Sequence, residues 1–150
     1  PLYSRLMAQG AGENLKGILG TANWNWALKD TGSQAFVKSF GAKYGFPPSM
    51  AAHTCYVQTL LYASACEMAG TFYPPEVIKS LEGFNFDGMG NGPTEYRAAD
   101  HQCFKDVLVV RGNMNPTSQF DLLEIVQEVP RSQVEYDASI FGGELGPYKV

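Results

Sequence analysis

The stretch from Phe36 to Gly70, FVKSFGAKYGFPPSMAAHTCYVQTLLYASACEMAG, joins two helical patterns across a Pro-Pro break and limits the fold more than any other part of the chain. Phe36, Val37, Phe40 and Tyr44 recur at helical spacing, and the pattern stops at Gly45, a residue that readily takes the left-handed cap conformation. Pro47 and Pro48 cannot continue that helix, and they preset the entry to a second one with Ser49 as its candidate N-cap. The second pattern puts Met50, Thr54, Val57, Leu61, Ser64 and Met68 on one stripe, with Ala51, Cys55, Ala65 and Ala69 beside it. Apolar and small residues then cover most of the circumference, which predicts a buried helix over 49–69.

Breakers organise the rest. Leu2 to Met7 reads as a short helix before a Gly10-Ala11-Gly12 turn, and Leu15 to Ala22 as a strand buried on both faces. Lys29 to Ser33 is a polar loop in which Ser33 or Thr31 caps the following helix. Pro74-Pro75-Glu76 opens a third helix, with Val77, Ile78 and Leu81 inward and Gly83 at its end. GMGNGP from Gly88 is a connector, Thr94 to Ala98 a short strand and Val107 to Val110 an apolar strand. Phe120 to Val129 reads as another strand, although its pattern also permits a helix, and the tail from Pro130 reads as an extended strap. Strands alternating with helices predict the α/β class, with ligands at the carboxyl ends of parallel strands.

Taken with LKGILGTANW from Leu15, PPEVIKSLEG from Pro74, EYRAADHQCFKDVLVVRGN from Glu95 and the FGGELGPYKV tail, the run from Phe36 resembles the C-terminal part of type I periplasmic binding proteins. These are the bilobal solute receptors of ABC importers, here most similar to the branched-chain amino acid and amide receptors. The resemblance rests on order and spacing rather than on one diagnostic motif. It implies an α/β fold with parallel sheets flanked by helices in two lobes, of which this chain is the C-terminal portion. Residues 1–22 would belong to the second lobe, 23–112 to the first lobe between two hinge crossings, and 113–150 to the second-lobe return and tail. The crossings are expected at 20–24 and 107–113. The implied partners are a small amino acid-like, amide or aromatic acid solute, the transporter permease and the missing N-terminal half of the receptor. A periplasmic or membrane-tethered extracellular location follows from the resemblance alone, since the chain opens in what reads as mid-protein.

Composition narrows the alternatives. Hydrophobic residues make up 45% of the 150 residues and charged residues 17%, enough for a core. A formal charge of −4 without a Lys/Arg run argues against nucleic acid or anionic membrane as a partner. No apolar run approaches the roughly 18 to 20 residues that span a bilayer. Cys55, Cys66 and Cys103 match no zinc spacing. Cys55 and Cys66, about 16 Å apart along one helix, cannot bridge each other. Pairing of Cys103 with one of them stays open beside the alternative of buried free thiols.

Trp24 and Trp26, at the end of an apolar strand in TANWNW, either line a cleft and stack on a ligand or form a hinge-side packing cluster. Asn23 and Asn25 are the local polar anchors, or turn residues. Met50, Ala51 and Thr54 open the long helix, whose N-terminus points toward the cleft in the resembled fold, where free N–H groups favour an anionic group. Core packing is the competing role for Met50. Tyr3 would lie just past a ligand loop of the second lobe. Catalysis finds little support. His53 and Cys55 face different sides of a helix. Asp100-His101 is no triad, and no nucleophile elbow accompanies it. In the resembled family DHQ precedes the last crossing and would bond the hinge backbone. Neither the Gly10–Gly17 spacing nor GMGNG forms a nucleotide fingerprint. No cofactor or metal is expected. Three functions remain: an importer's solute receptor, an α/β enzyme, and a ligand-sensing regulatory domain of the same fold.

Overall fold

The computed structural model describes residues 4–87, 90 and 92–141. Helix α1 (Arg5–Ala11) starts from a Ser4 cap that accepts from the Met7 N–H, then tightens through a single 3-10 turn (Gly12–Leu15) into strand β1 (Leu19–Ala22). The strand expected over 15–22 is therefore shorter, because Leu15 ends the 3-10 turn with its side chain buried. Helices α2 (Thr31–Tyr44), α3 (Met50–Ala69) and α4 (Pro74–Leu81) follow in succession. Short strands β2 (Asn85–Phe86), β3 (Thr94–Tyr96) and β4 (Cys103–Phe104) form one small antiparallel sheet. Strands β5 (Val107–Gly112) and β6 (Leu123–Val129) complete a second sheet with β1, in the order β1-β5-β6. One helical turn, α5 (Arg131–Val134), and a 3-10 turn at Ala138–Phe141 end the described chain.

The mixed helix and sheet composition agrees with the expected class, but the strand pairs within this chain are antiparallel rather than parallel. β1 pairs Leu19 with Arg111 and Ala22 with Leu108, while β5 pairs Val107 with Val129 and Gly112 with Leu123 across a bulge at Val109/Val110. Parallel contact is confined, among the described residues, to the isolated Lys16–Gly112 bridge. The physical reason is direct: β5 and β6 are joined by a turn, and a turn reverses direction. Leu123–Val129 is a strand, so the helical alternative for that segment falls.

Local chemistry explains the helix ends. Asp30, not Thr31 or Ser33, caps α2: its carboxylate accepts from the Ser33 N–H at 2.8 Å, and Gly45 closes the helix at φ 75°. Ser49 caps α3 as expected, accepting from the Ala52 N–H at 3.2 Å, and Gly70 ends it at φ 66°. Yet α3 is not buried all round. His53, Val57, Leu61, Ala65 and Cys66 are buried, whereas Tyr56, Leu60, Tyr62 and Met68 are exposed. Only part of the expected stripe, Val57 and Leu61, is buried, because this chain covers α3 on limited arcs. Trp24 and Phe36 pack near its start, and Val77 and Leu81 of α4 pack near its end, where the Ser80 hydroxyl donates to the Ala65 carbonyl at 3.0 Å. The three thiols are free. Cys66 is buried while Cys55 and Cys103 are exposed, so the expectation of buried thiols holds for Cys66 alone.

The main core gathers Ala22, Trp24, Leu28, Leu108 and Val110, with Phe36, Val37, Met50 and Ile125 packed against it. The β3–β4 connection is a tight corner. Asp100 receives the Arg97 guanidinium, with Nε to Oδ1 at 2.8 Å, and accepts from the Gln102 N–H, while His101 sits at φ 57°. Asp100-His101-Gln102 therefore builds a hairpin turn. The tail is not simply extended: α5 docks on that hairpin through Arg131, whose N–H donates to Asp106 at 2.7 Å and whose guanidinium pairs with Glu95. Arg97 adds a bond to the Tyr136 carbonyl and lies over the Phe104 ring.

Candidate functional site

Strand β1 delivers its residues in alternation and then turns. Trp24 goes inward: 1% exposed, it donates from Nε1 to the Ser33 hydroxyl at 2.9 Å and stacks on His53 with centroids 4.3 Å apart. Phe36 meets it edge-on at 6.0 Å. Asn25 then makes an Asx turn, its side-chain oxygen accepting from the Ala27 N–H at 2.8 Å. That turn sends Trp26 to a different position, half-buried, on the wall of a pocket shared with Trp24, Asn25, Ser49 and Met50. The remaining wall comes from Arg5 and Ala8 of α1, from Pro47 and Pro48, and from Phe120, Leu122 and Leu123 at the start of β6.

Four separate segments thus converge at one place: α1, the exit of β1, the N-terminus of α3 and the β5–β6 turn. The pocket has two indole rings, the first turn of a 20-residue helix and one guanidinium. Such a set offers aromatic stacking surface and attraction for an anion. Its enclosed volume is only about 40 Å3, room for a few waters and far below the several hundred Å3 of a small-molecule site. This pocket by itself is too small to enclose such a molecule.

The anticipated residues divide accordingly. Trp24, Trp26 and Met50 come together on the pocket. Trp24 is at the same time a core residue, as the packing reading expected. Asn23 stands just before them, half-buried, with its side-chain oxygen out of solvent and lacking a hydrogen-bond partner among the described residues. Ala51 is exposed and Thr54 half-buried on the first turns of α3, and neither lines the pocket. Tyr3 lies outside the described residues. Arg5, Phe120, Leu122 and Leu123 were not foreseen. They come from segments distant in sequence, and no local pattern marks them.

The turn that carries Phe120 is held by Asp121. Its carboxylate accepts from the Thr117 N–H at 3.0 Å and from the Thr117 hydroxyl at 2.9 Å. Those bonds, the backbone one foremost, hold the Asp121 carboxyl below the usual carboxylate range against a smaller opposing effect of burial. Among the described residues there is no group of His, Cys, Asp and Glu that could hold a metal ion. No described helix is long and apolar enough to cross a membrane.

A family model described as "Periplasmic binding protein" matches residues 1–118. The sequence matches none of the curated proteins. Among solved structures, the chain is similar to an amino acid ABC transporter substrate-binding protein from Pseudomonas fluorescens Pf-5, with a TM-score of 0.80 and 24% identity over 95% of this chain and 38% of that one. It is also similar to a branched chain amino acid ABC transporter periplasmic ligand-binding protein from Burkholderia xenovorans LB400, with a TM-score of 0.73 and 23% identity over 86% of this chain and 35% of that one. A solute binding protein of an ABC transporter from Rhodopseudomonas palustris BisB5, solved with 3,4-dihydroxybenzoic acid, shares the fold at a TM-score of 0.69 and 13% identity over 85% of this chain and 35% of that one. The chain thus spans little more than a third of the length of these structures. Matched over residues 1–118 of 150, and sharing the fold of type I receptors, this chain belongs to the periplasmic binding protein family.

Proposed function

We propose that this chain is the C-terminal part of a periplasmic or membrane-tethered receptor that closes two lobes on a small solute and delivers it to an ABC transporter permease. The solute is an amino acid, an amide or an aromatic acid, and the missing N-terminal half of the receptor supplies the rest of the cleft. The observation that carries this reading is the convergence of Trp24, Trp26, Met50 and Ser49 with Arg5 and Phe120 on one small pocket. Indole surface beside a helix N-terminus suits a solute with an apolar body and an anionic end. Binding energy would drive hinge closure by shifting a population, with no chemical step.

The strand arrangement supports the two crossings. β1 and β5 are hydrogen-bonded neighbours running in opposite directions, as expected of one strand leaving a lobe and one returning. Residues 1–22 and the turn after Asn113 then lie on one side, and 23–112 on the other. β6 runs back beside β5 and leads to α5, which is tied to Glu95 and Asp106. On this reading the chain crosses once more, and residues from Pro130 join the 23–112 lobe instead of staying with the second.

Native mass spectrometry of the full-length receptor, purified without refolding, is the test. A retained solute of amino acid, amide or aromatic acid type, confirmed by calorimetric titration, is the expected result. A receptor that carries none and gives no heat with any member of those three classes would overturn the assignment.

A further inference from the structure

Arg5 lies on the first turn of α1, yet the contacts its guanidinium makes are 42 residues away, in the loop between α2 and α3. Its Nη1 donates to the Pro47 carbonyl at 3.0 Å, and its guanidinium carbon stands 4.5 Å from the centroid of the Phe46 ring. Phe46 in turn meets Phe120 of the β5–β6 turn, with centroids 6.2 Å apart. Arg5 has no ion-pair partner among the described residues. A planar, delocalised cation is suited to this double task, since it can donate in its plane and lie against a ring with its face.

The two-lobe reading proposed above gives this cluster its meaning. Arg5 and Phe120 fall in the second lobe, Phe46 and Pro47 in the first, and the pocket with Trp26 lies beside them. We propose that Arg5 is a positioning residue that latches the lobes closed, with Phe46 as the partner it shares with Phe120, and so sets how long a solute is retained. The latch touches the loop and not the solute. A hydrogen bond to a backbone carbonyl tolerates any solute, so the latch acts on residence time rather than on selection among solutes.

The test uses the full-length receptor and small-angle scattering, with and without the proteinogenic amino acids and benzoate as probes. Arg5→Ala and Phe46→Leu should both expand the unliganded particle and speed probe release by about three- to tenfold. Arg5→Lys, which keeps a donor and a cation, should restore part of the effect, and thermal melting should show that each variant is folded. If the wild type compacts on a probe and both variants scatter and release it as the wild type does, the latch is wrong while the receptor assignment stands. If the wild type compacts on none of the probes, the two-lobe reading fails and the latch fails with it. Should Arg5→Ala not fold, Phe46→Leu carries the decision alone.

Discussion

Trp24 and Trp26 are two residues apart and face different demands. Trp24 is closed in by Ser33, Phe36 and His53, and its N–H has a buried partner, so removing it empties the core and strands the Ser33 hydroxyl. Trp24→Ala is expected to lower stability by about 3 to 5 kcal/mol in a urea unfolding curve. Trp26, half-buried on the pocket wall, should behave in the opposite way. Trp26→Ala should leave the melting temperature of the full-length receptor nearly unchanged and weaken solute binding by about 1 to 3 kcal/mol by calorimetry. Strand alternation alone would send the pair in a common direction. The Asx turn at Asn25 removes that alternation, and no period-two argument can see a turn that depends on one side-chain bond. Asp121 offers a pH test. Its carboxyl is held below its unfolded value chiefly by the Thr117 N–H, so the turn is fully supported above the ordinary carboxylate range and loses that support as pH falls through the lower, folded value. The protection factor of the Thr117 amide, its exchange rate relative to the unfolded chain at the same pH, should therefore fall on acidification, and Asp121→Asn should make that factor pH-insensitive.

Among the elements, α3 shows how far local signals reach. Its Ser49 cap, its Pro-Pro entry and its Gly70 stop are all local, and all were legible. Ser49→Ala should cost about 1 kcal/mol in chemical denaturation, with the loss of protection concentrated at Ala52. Which face of α3 is covered was not legible, because an all-round apolar helix leaves the choice to whatever packs on it. The start of β1 was misjudged for a related reason: Leu15 is apolar and reads as strand, but the chain uses it in a 3-10 turn that lays its carbonyl over Gly112. A Cβ on Gly112 would come within 1.8 Å of that oxygen, and the backbone there is pinned by bonds from the Gly17 N–H to the Gly112 carbonyl and from the Gly112 N–H to Ile18. Gly112→Ala should thus destabilise by about 3 kcal/mol or more, read as a lowered urea midpoint.

The whole molecule carries an uneven surface. Tyr56, Leu60, Tyr62 and Met68, spread around α3, are exposed, as are Phe72 and Tyr73 just beyond it. If these side chains meet the rest of a receptor, the 150-residue chain on its own should self-associate at micromolar concentration and bind solute poorly. Sedimentation velocity with a calorimetric titration checks both expectations, and a compact monomer with tight solute binding would be the contrary result.

By itself the sequence determined the three main helices, the Ser49 cap, the apolar strands and the family resemblance, because each depends on residues within a few positions of one another. Trp24, Trp26 and Met50 were legible as candidates for the same reason: each sits at an element end that the breakers mark. Arg5 and Phe120 were decided only by the tertiary structure, which brings α1 and the β5–β6 turn onto the Pro47 loop across more than forty residues of chain. The antiparallel pairing of β1 with β5 and the docking of α5 on Glu95 and Asp106 were decided there too. A strand or a charged side chain announces that it needs a partner, but which partner it meets is set by the packing of the whole chain.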